Sequence, residues 1–302
     1  MTKTKGAPFR LAPGLDLVSA VTLASPELDD PALFGRVAAA QVLSELYAQG
    51  ADALFALALV GAPGLLSDRA LQRMLEGAGA TLEQAQVSNL GARDIHTSAL
   101  AFGLSATGAV ARKRRFSPDG GRAGDVLVLT KPIGTGIAAA AIQLGHASRA
   151  FQRAAVAQMT TLNRAAAGAL AASAGVHAVA DVQSRGLLGH AFELARGAKA
   201  RVQLELGRTP ILAGVPALAA EGVVPEATRR MLKAAGDRVR FPEGLPEDIA
   251  LVLADGQLNG GLLAAVDAKQ VGKLLRALEK AHVEGAVVGT LVKGKPGVDV
   301  LG

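Results

Sequence analysis

Short apolar or β-branched runs at 17–23, 53–60, 87–90, 99–111, 126–129, 178–181, 202–206, 249–253 and 286–291 predict strands. Between them the apolar positions shift to a helical spacing. Leu33, Val37, Ala40, Val42, Leu43, Leu46 and Tyr47 predict a helix over 32–48, ended by Gly50. Further helices are predicted over 68–80, 137–144, 151–174, 187–195, 222–235 and 268–281, the first of them capped by Ser67. The run 99–111 reads as a strand buried on both faces. Residues 1–15 carry Lys, Gly and Pro without periodicity and read as a loose arm. Residues 25–31, with Pro26, Asp29, Asp30 and Pro31, read as a turn.

Strands alternating with helices imply an α/β (α+β) chain, and 302 residues are enough for two domains. The charged, Gly- and Pro-containing stretch 112–123, RKRRFSPDGGRA, is the best boundary, giving domains over 1–112 and 113–302. Its basic run fits a nucleic-acid patch or a solvated linker edge. The linker is the reading adopted, because no aromatics interleave the basic residues, so no nucleic-acid partner is expected. Half of the residues are hydrophobic, yet aromatics make up 3% and Trp is absent, so the core must be built from Ala, Leu and Val. With no Cys in the sequence, disulfides, thiolate metal sites and cysteine nucleophiles are excluded within it. The net charge of +6 is modest. No apolar run approaches the roughly 20 residues that span a bilayer, and no secretory signal pattern opens the chain. The expectation is a cytoplasmic protein without a membrane partner.

The stretch with the most chemistry is 124–137, GDVLVLTKPIGTGI. A buried strand is stopped at Lys131-Pro132, and Gly134-Thr135-Gly136 turns the chain into an alanine-rich helix. Backbone amides at such a turn suit a phosphate, and the same glycines also suit a turn built only for packing. Asp181 ends the strand VHAVAD, a position from which a carboxylate can hold Mg²⁺ or simply cap the strand. His190 reads as a packing or capping residue, and the other His residues have no metal-ligand spacing.

The segment LTKPIGTG at 129–136 resembles the strand–turn signature of selenophosphate synthetases (selenide, water dikinases) and, more distantly, of aminoimidazole ribonucleotide synthetases. Three further segments match in the same order: FGRVAAAQVLSELYAQG at 34–50, MTTLNRAA at 159–166 and DVQSRGLLGHAFELA at 181–195. The similarity runs from about residue 29 to the C-terminus. It implies two domains of the aminoimidazole-ribonucleotide-synthetase type. Sheets of the first domain would pair across a two-fold axis into a dimer barrel, as a homodimer or as a heterodimer with a full-length synthetase. It also implies an ATP- and Mg²⁺-dependent kinase of selenium metabolism. By position in the family's motifs, the nucleotide or its phosphates would meet Gln41, Gly91, Lys131, Gly134, Thr135, Gly136 and Asp255, and metal would meet Glu45 and Asp181.

The chain departs from those motifs at several points. Where the family has N-A-(I/L)-S-D, Gln41-Val42-Leu43-Ser44-Glu45 stands here, with Glu one methylene longer than Asp. A metal-binding T-T-D falls on Ala20-Val21-Thr22, and a G-G-H-(S/T) loop on Gly91-Ala92-Arg93-Asp94. D-V-T-G-F-G-L-L-G-H becomes DVQSRGLLGH, and D-P-Q-T-S-G-G-L-L becomes DGQLNGGLL at 255–263. Ahead of the first predicted strand there is no Cys, no D-D-A and no Lys that aligns with the family's catalytic Lys; Lys3 and Lys5 do not align with it. The expectation is an N-terminally shortened, motif-degenerate member that keeps an ATP- or phosphate-binding scaffold with impaired catalysis. Two alternatives stand beside it: a working phosphotransferase that uses Glu45, Asp181 and Asp255, and a non-catalytic regulatory partner of a full-length synthetase.

Overall fold

The computed structural model describes residues 8–24, 28–61 and 63–302, the last of these ranges beginning with the backbone alone at residue 63. The chain divides into two compact units. The first holds the chain up to Arg115 together with Met159–Arg164; the second holds Phe116–Gln158 and Ala165–Gly302.

The first unit is a five-stranded sheet backed by two helices. Its elements are β1 (Phe9–Ala12), β2 (Leu15–Ala24), α1 (Pro31–Tyr47), β3 (Asp52–Gly61), α2 (Asp68–Gln84), β4 (Ser88–Ile95) and β5 (Ala101–Ala111). The strand order is β1-β2-β5-β3-β4, with only the β3–β4 pair parallel. Asp30 caps α1 through the amides of Ala32 and Leu33, and the expected Ser67 cap receives the amide of Ala70. The two helices cross at Gly35 and Gly77. A β-carbon at either would lie 2.0 Å from a carbonyl oxygen of the other helix, so only glycine lets the backbones meet. Phe34 and Phe102 pack with ring centroids 6.0 Å apart, joining α1 to β5. Tyr47, the protein's one tyrosine, ends α1 fully buried, and its hydroxyl has no hydrogen-bond partner among the described residues. Burial pushes that phenol above its ordinary pKa, with Arg164 opposing and Asp52 adding to the shift.

The loose arm expected over 1–15 lies outside the described residues up to residue 7. Beyond it, Phe9–Ala12 is a strand, paired Phe9 with Leu17 and Arg10 with Asp16. Four exposed residues show too little pattern to announce a strand; the partner strand supplies the order. Of the turn at 25–31, residues 25–27 lie outside the described set. β5 is wholly buried on one face only, since Ser105, Thr107 and Ala109 on its other face are half-buried. At the unit's edge, Arg112 makes a bidentate ion pair with buried Asp16, with a shortest contact of 2.6 Å. That pair holds the Asp16 carboxyl below its ordinary pKa.

The second unit is a seven-stranded mixed sheet. In chain order its elements are β6 (Val126–Leu129), α3 (Thr135–Gln143), α4 (Arg149–Thr160), α5 (Arg164–Ala172), β7 (Val176–Asp181), α6 (Gly186–Gly197), β8 (Arg201–Glu205), α7 (Val215–Ala220), α8 (Glu226–Ala235), β9 (Val239–Arg240), α9 (Glu247–Ala254), β10 (Leu262–Val266), α10 (Val271–Lys280), β11 (Ala286–Val292) and β12 (Gly297–Leu301). The order is β7-β10-β6-β11-β8-β12-β9. One apolar cluster joins Leu127 and Leu129 of β6 to Ile137, Leu187, Leu194, Val252 and Leu253 of the helices. It uses no aromatic larger than Phe, as the composition requires.

Two sequence expectations differ here. The run 249–253 is not a strand but the core of α9, all of Ala250–Ala254 being buried. Five apolar residues fit either element, and the start signals Pro246, Glu247 and Asp248 decide for a helix. The strand that follows it is β10, which the sequence reading did not include; it lies between β6 and β7 and is buried throughout. The helix expected over 151–174 is two helices, α4 and α5, separated at residues 161–163. Asn163 there donates to Ser44 of α1 at 2.7 Å, a bond that a continuous helix would not present.

Candidate functional site

In the second unit, the turn after β6 does face a carboxylate, but one from its own chain. Gly134, with φ of 112°, precedes Thr135 at the start of α3. The amides of Gly134 and Thr135 donate to Oε1 of Gln257 at 2.8 and 3.1 Å, and the Thr135 hydroxyl donates to the same oxygen. The next two amides, Gly136 and Ile137, donate to Oδ2 of Asp255 at 2.9 and 3.1 Å. Helix starts leave such amides without intrahelical partners, and here side chains of the 255–257 segment satisfy them. Gly136 has to be glycine, because a β-carbon would lie 2.3 Å from the carbonyl oxygen of Gly256. The Gly134–Gly136 amides expected to meet a ligand's phosphates are thus bonded internally. Asp255, expected at the nucleotide, is a buried helix cap.

Asp255 is 0% exposed and also receives the Thr228 hydroxyl of α8 at 2.9 Å and the Gln257 side-chain amide at 3.2 Å. Burial pushes its pKa up to about 7 against the pull of these donors. Burial likewise lowers Lys131 to about 7, with Asp181 acting in the opposite direction. These shifts have opposite consequences for stability. From pH 3.8 to about 7 the folded state holds a proton on Asp255 that the unfolded chain has released, so stability should fall as pH rises. From about 7 to 10.5 the unfolded chain holds a proton on Lys131 that the folded state lacks, so stability should rise again. Denaturant midpoints measured across pH should therefore pass through a minimum near neutrality, and Asp255→Asn should remove the acidic limb. A flat profile in the wild type would contradict this.

Lys131 is 6% exposed and its ammonium donates to the carbonyl oxygen of Asn259 at 3.1 Å. Asn259 adopts φ of 55°, a left-handed conformation that Asn tolerates better than most residues. Asp181, 3% exposed at the end of β7, receives the Gln183 side-chain amide on both oxygens, at 3.2 and 3.1 Å. Gln183 is fixed from all sides. Its amide donates to Nε2 of His190 at 3.2 Å, and its carbonyl receives the amides of Gly186 and Gln257. Nε2 accepts there, so Nδ1 of His190 carries the proton and donates to Glu193 at 3.1 Å; Arg185 also reaches Glu193, at 2.6 Å. His190 is thus the capping residue expected. Gln183 is the residue of this cluster that the sequence reading did not single out, and the signal was its place two positions after Asp181, where the family motif has Thr.

The remaining candidates belong to the first unit. Gln41 and Glu45 lie one turn apart on α1, both half-buried. Gly91 is exposed on β4 with φ of 85°, and its amide donates to Oδ1 of Asn89. Arg93 is exposed on the same strand, and Thr22 sits opposite Leu104 in the β2–β5 ladder. Among the described residues no three His, Cys, Asp or Glu side chains converge as a metal site. Of the carboxylate positions in the family's metal motifs, one is Thr22 here, and both oxygens of Asp181 accept hydrogen bonds from Gln183.

Comparison with known proteins bears on these motifs directly. Residues 5–110 match the family described as AIR synthase related protein, N-terminal domain, and residues 122–301 match its C-terminal domain. The chain is 47% identical over 302 residues to selenide, water dikinase of Myxococcus xanthus (strain DK1622), covering 100% of this chain and 86% of that protein. It belongs to the selenide, water dikinase family. A second selenide, water dikinase, from Burkholderia pseudomallei (strain K96243), is 39% identical and covers 99% of this chain and 85% of its own. Among solved structures, thiamine-monophosphate kinase from Stenotrophomonas maltophilia K279a aligns with a TM-score of 0.73 at 19% identity, covering 95% of this chain and 85% of that one. That likeness shows the fold, the two-domain α/β architecture expected of an AIR synthase-like chain. Among the described residues no helix is long and apolar enough to cross a membrane.

Proposed function

We propose that this selenide, water dikinase family member binds a nucleotide on the inherited scaffold but has lost, or kept only in trace, selenide-dependent phosphoryl transfer. The observation that carries the reading is Asp181. It is the family's metal-binding aspartate retained in place, and Gln183 bonds both of its oxygens. Thr22 and Arg93 support it, one removing a carboxylate and the other adding a cation where the family has glycine and histidine. Nucleotide binding draws support from fold relatives whose structures carry ligands: one is AaThiL complexed with AMPPCP and TMP, another the hydrogenase maturation protein HypE in complex with ATP. Calorimetry with ATP tests the binding half of the proposal; the absence of any heat of binding would refute it. The working-phosphotransferase alternative needs Asp255 at the nucleotide, and the capping role of that carboxylate speaks against it.

The first unit supplies a second expectation, a dimer. On its sheet Val21 is 59%, Leu23 44%, Leu54 44%, Phe55 39% and Leu90 54% exposed. Large exposed apolar side chains on β2, β3 and β4 of one sheet support an interaction face. Its occupant on this reading is a second copy of the chain. Sedimentation at micromolar concentration should show a dimer, and Val21→Arg should shift it to monomer. A monodisperse wild-type monomer would contradict the assignment.

A further inference from the structure

We propose that the edge of the first unit formed by Arg10, Arg112, Lys113, Arg114 and Arg115 binds the phosphodiester backbone of a nucleic acid, whatever its base sequence. The inference goes beyond the nucleotide reading above and does not depend on it.

The fold collects these cations from two distant parts of the chain. Arg10 on β1 stands directly opposite Asp16 of β2. Residues paired in this way project to the same face of a sheet. The chain leaves β5 into a single 3₁₀ turn, Arg112–Arg114, and the Arg112 amide donates to the Gly14 carbonyl between β1 and β2 at 2.9 Å. The Arg115 amide closes that turn on the Arg112 carbonyl at 3.4 Å. Side chains three apart eclipse in such a turn, so Arg115 follows Arg112 toward Asp16.

Asp16 is 4% exposed and accepts from Nε and Nη2 of Arg112, with a shortest contact of 2.6 Å. Nη1 of Arg112 is left for another acceptor, on a side chain that is 42% exposed. A buried carboxylate thus fixes one guanidinium in place with donors to spare. Arg10, Lys113, Arg114 and Arg115 are exposed and form no ion pair among the described residues. The Asp16 carboxyl responds to the cluster: the Arg112 bond lowers its pKa most, and the charges of Arg115 and Arg10 add to the effect.

Charge is segregated in this unit. Five cations meet one carboxylate at this edge, whereas elsewhere between residues 8 and 115 the sequence carries four basic and nine acidic residues. One cationic end on an otherwise acidic unit draws and orients a polyanion. The cluster is open, spread over an edge strand and a turn, and it holds more charge than one phosphate neutralises. Both features favour a run of phosphates over a single small anion. The basic run has no aromatics for bases to stack on, so what it can hold is the backbone, which guanidinium forks bind without regard to base. Asp16 alternates along β2 with buried Val18 and Ala20, while Val21 and Leu23 project to the opposite face. A nucleic acid and a second copy of the chain would therefore approach from different sides.

The experiment is fluorescence anisotropy of a labelled single-stranded RNA of mixed sequence, about 20 nucleotides long, titrated with the full chain at several KCl concentrations. Each phosphate contact to a single strand contributes about −0.7 to the slope of log K against log salt. Wild type should bind at low salt with a slope of about −2 to −3. Arg10→Ala with Arg115→Ala should weaken binding at least about tenfold at low salt and flatten the slope by about 1.4. Arg229→Ala with Lys233→Ala, both exposed on α8 of the second unit, removes the same charge and should change neither. Circular dichroism checks that each variant folds. Should the first pair not fold, Lys113→Ala with Arg114→Ala replaces it and should flatten the slope likewise. Absence of RNA binding by the wild type at low salt would overturn the proposal, and so would equal losses from the two pairs. Displacement of the RNA by inorganic phosphate at matched phosphate concentration would also overturn it, as the mark of a single-anion site. Vesicles of phosphatidylglycerol and phosphatidylcholine that bind as tightly as RNA, with the same dependence on Arg10 and Arg115, would overturn the assignment to nucleic acid.

Discussion

Supplied with ATP and selenide, the protein should form no selenophosphate above the uncatalysed background, as read by phosphorus NMR. Phosphoryl transfer asks a protein for little covalent chemistry and much electrostatics, namely cations fixed against the transferring group. Each change found here removes part of that field. Thr22 offers no carboxylate to a metal. Glu45 reaches one methylene further than the aspartate of the family motif, and octahedral Mg²⁺ tolerates little displacement. Asp181 is engaged by Gln183. Arg93 could meet phosphate well, but as a cation it repels the metal it would have to replace. Loss of a single group that stabilises developing charge costs on the order of 10²–10³ in rate, and several are altered at once. Thr22→Asp alone should therefore not restore turnover. Selenophosphate made by the wild-type protein would overturn the proposed loss of activity.

Asp255→Ala should be the most damaging single substitution in the second unit. The carboxylate is fully buried and accepts from the Gly136 and Ile137 amides, the Thr228 hydroxyl and the Gln257 amide. Truncation leaves those donors in a dry site, and each stranded buried donor costs about 1–3 kcal/mol. The Thr228 hydroxyl can turn to another acceptor, so a total of about 3–5 kcal/mol is expected. Asp255→Asn should be far milder, because its carbonyl can still receive the two α3 amides while its amide donates to Thr228. Denaturant unfolding followed by circular dichroism checks both variants. Equal stability of Asp255→Ala and wild type would show that the network carries little of the unit's stability.

The fold was legible in the sequence where an element was long and its rhythm clear. The apolar stripe from Leu33 to Tyr47 marked α1 to within a residue or two at each end. Legibility ended where a short run fits two elements. Ile249–Leu253 reads as a strand until its burial among helices is known, and β10 hid behind Gly260-Gly261 because its five residues show no alternation. The site was legible in type more than in detail. The amides of the strand, glycine turn and helix start that the sequence offers to a phosphate are bonded to Gln257 and Asp255 of the same chain. What local sequence could not convey is that one acceptor is the side chain of Asp255, 119 residues from the Gly136 amide that binds it. Gln183 escaped notice for a related reason. Its side chain is an ordinary amide until the fold places it across both oxygens of Asp181.

The single tyrosine has a practical consequence. Tyr47 lies in the first unit and the chain has no tryptophan, so intrinsic fluorescence excited near the tyrosine band comes from that unit alone. Its phenol is sealed away from solvent, and unfolding of α1 would release it into water. The protein thus carries its own unit-specific reporter, with the second unit optically silent at that wavelength. Lesions at Lys131, Asp181 or Asp255 can be followed by loss of helix signal, while the tyrosine emission tells independently whether the first unit has stayed folded.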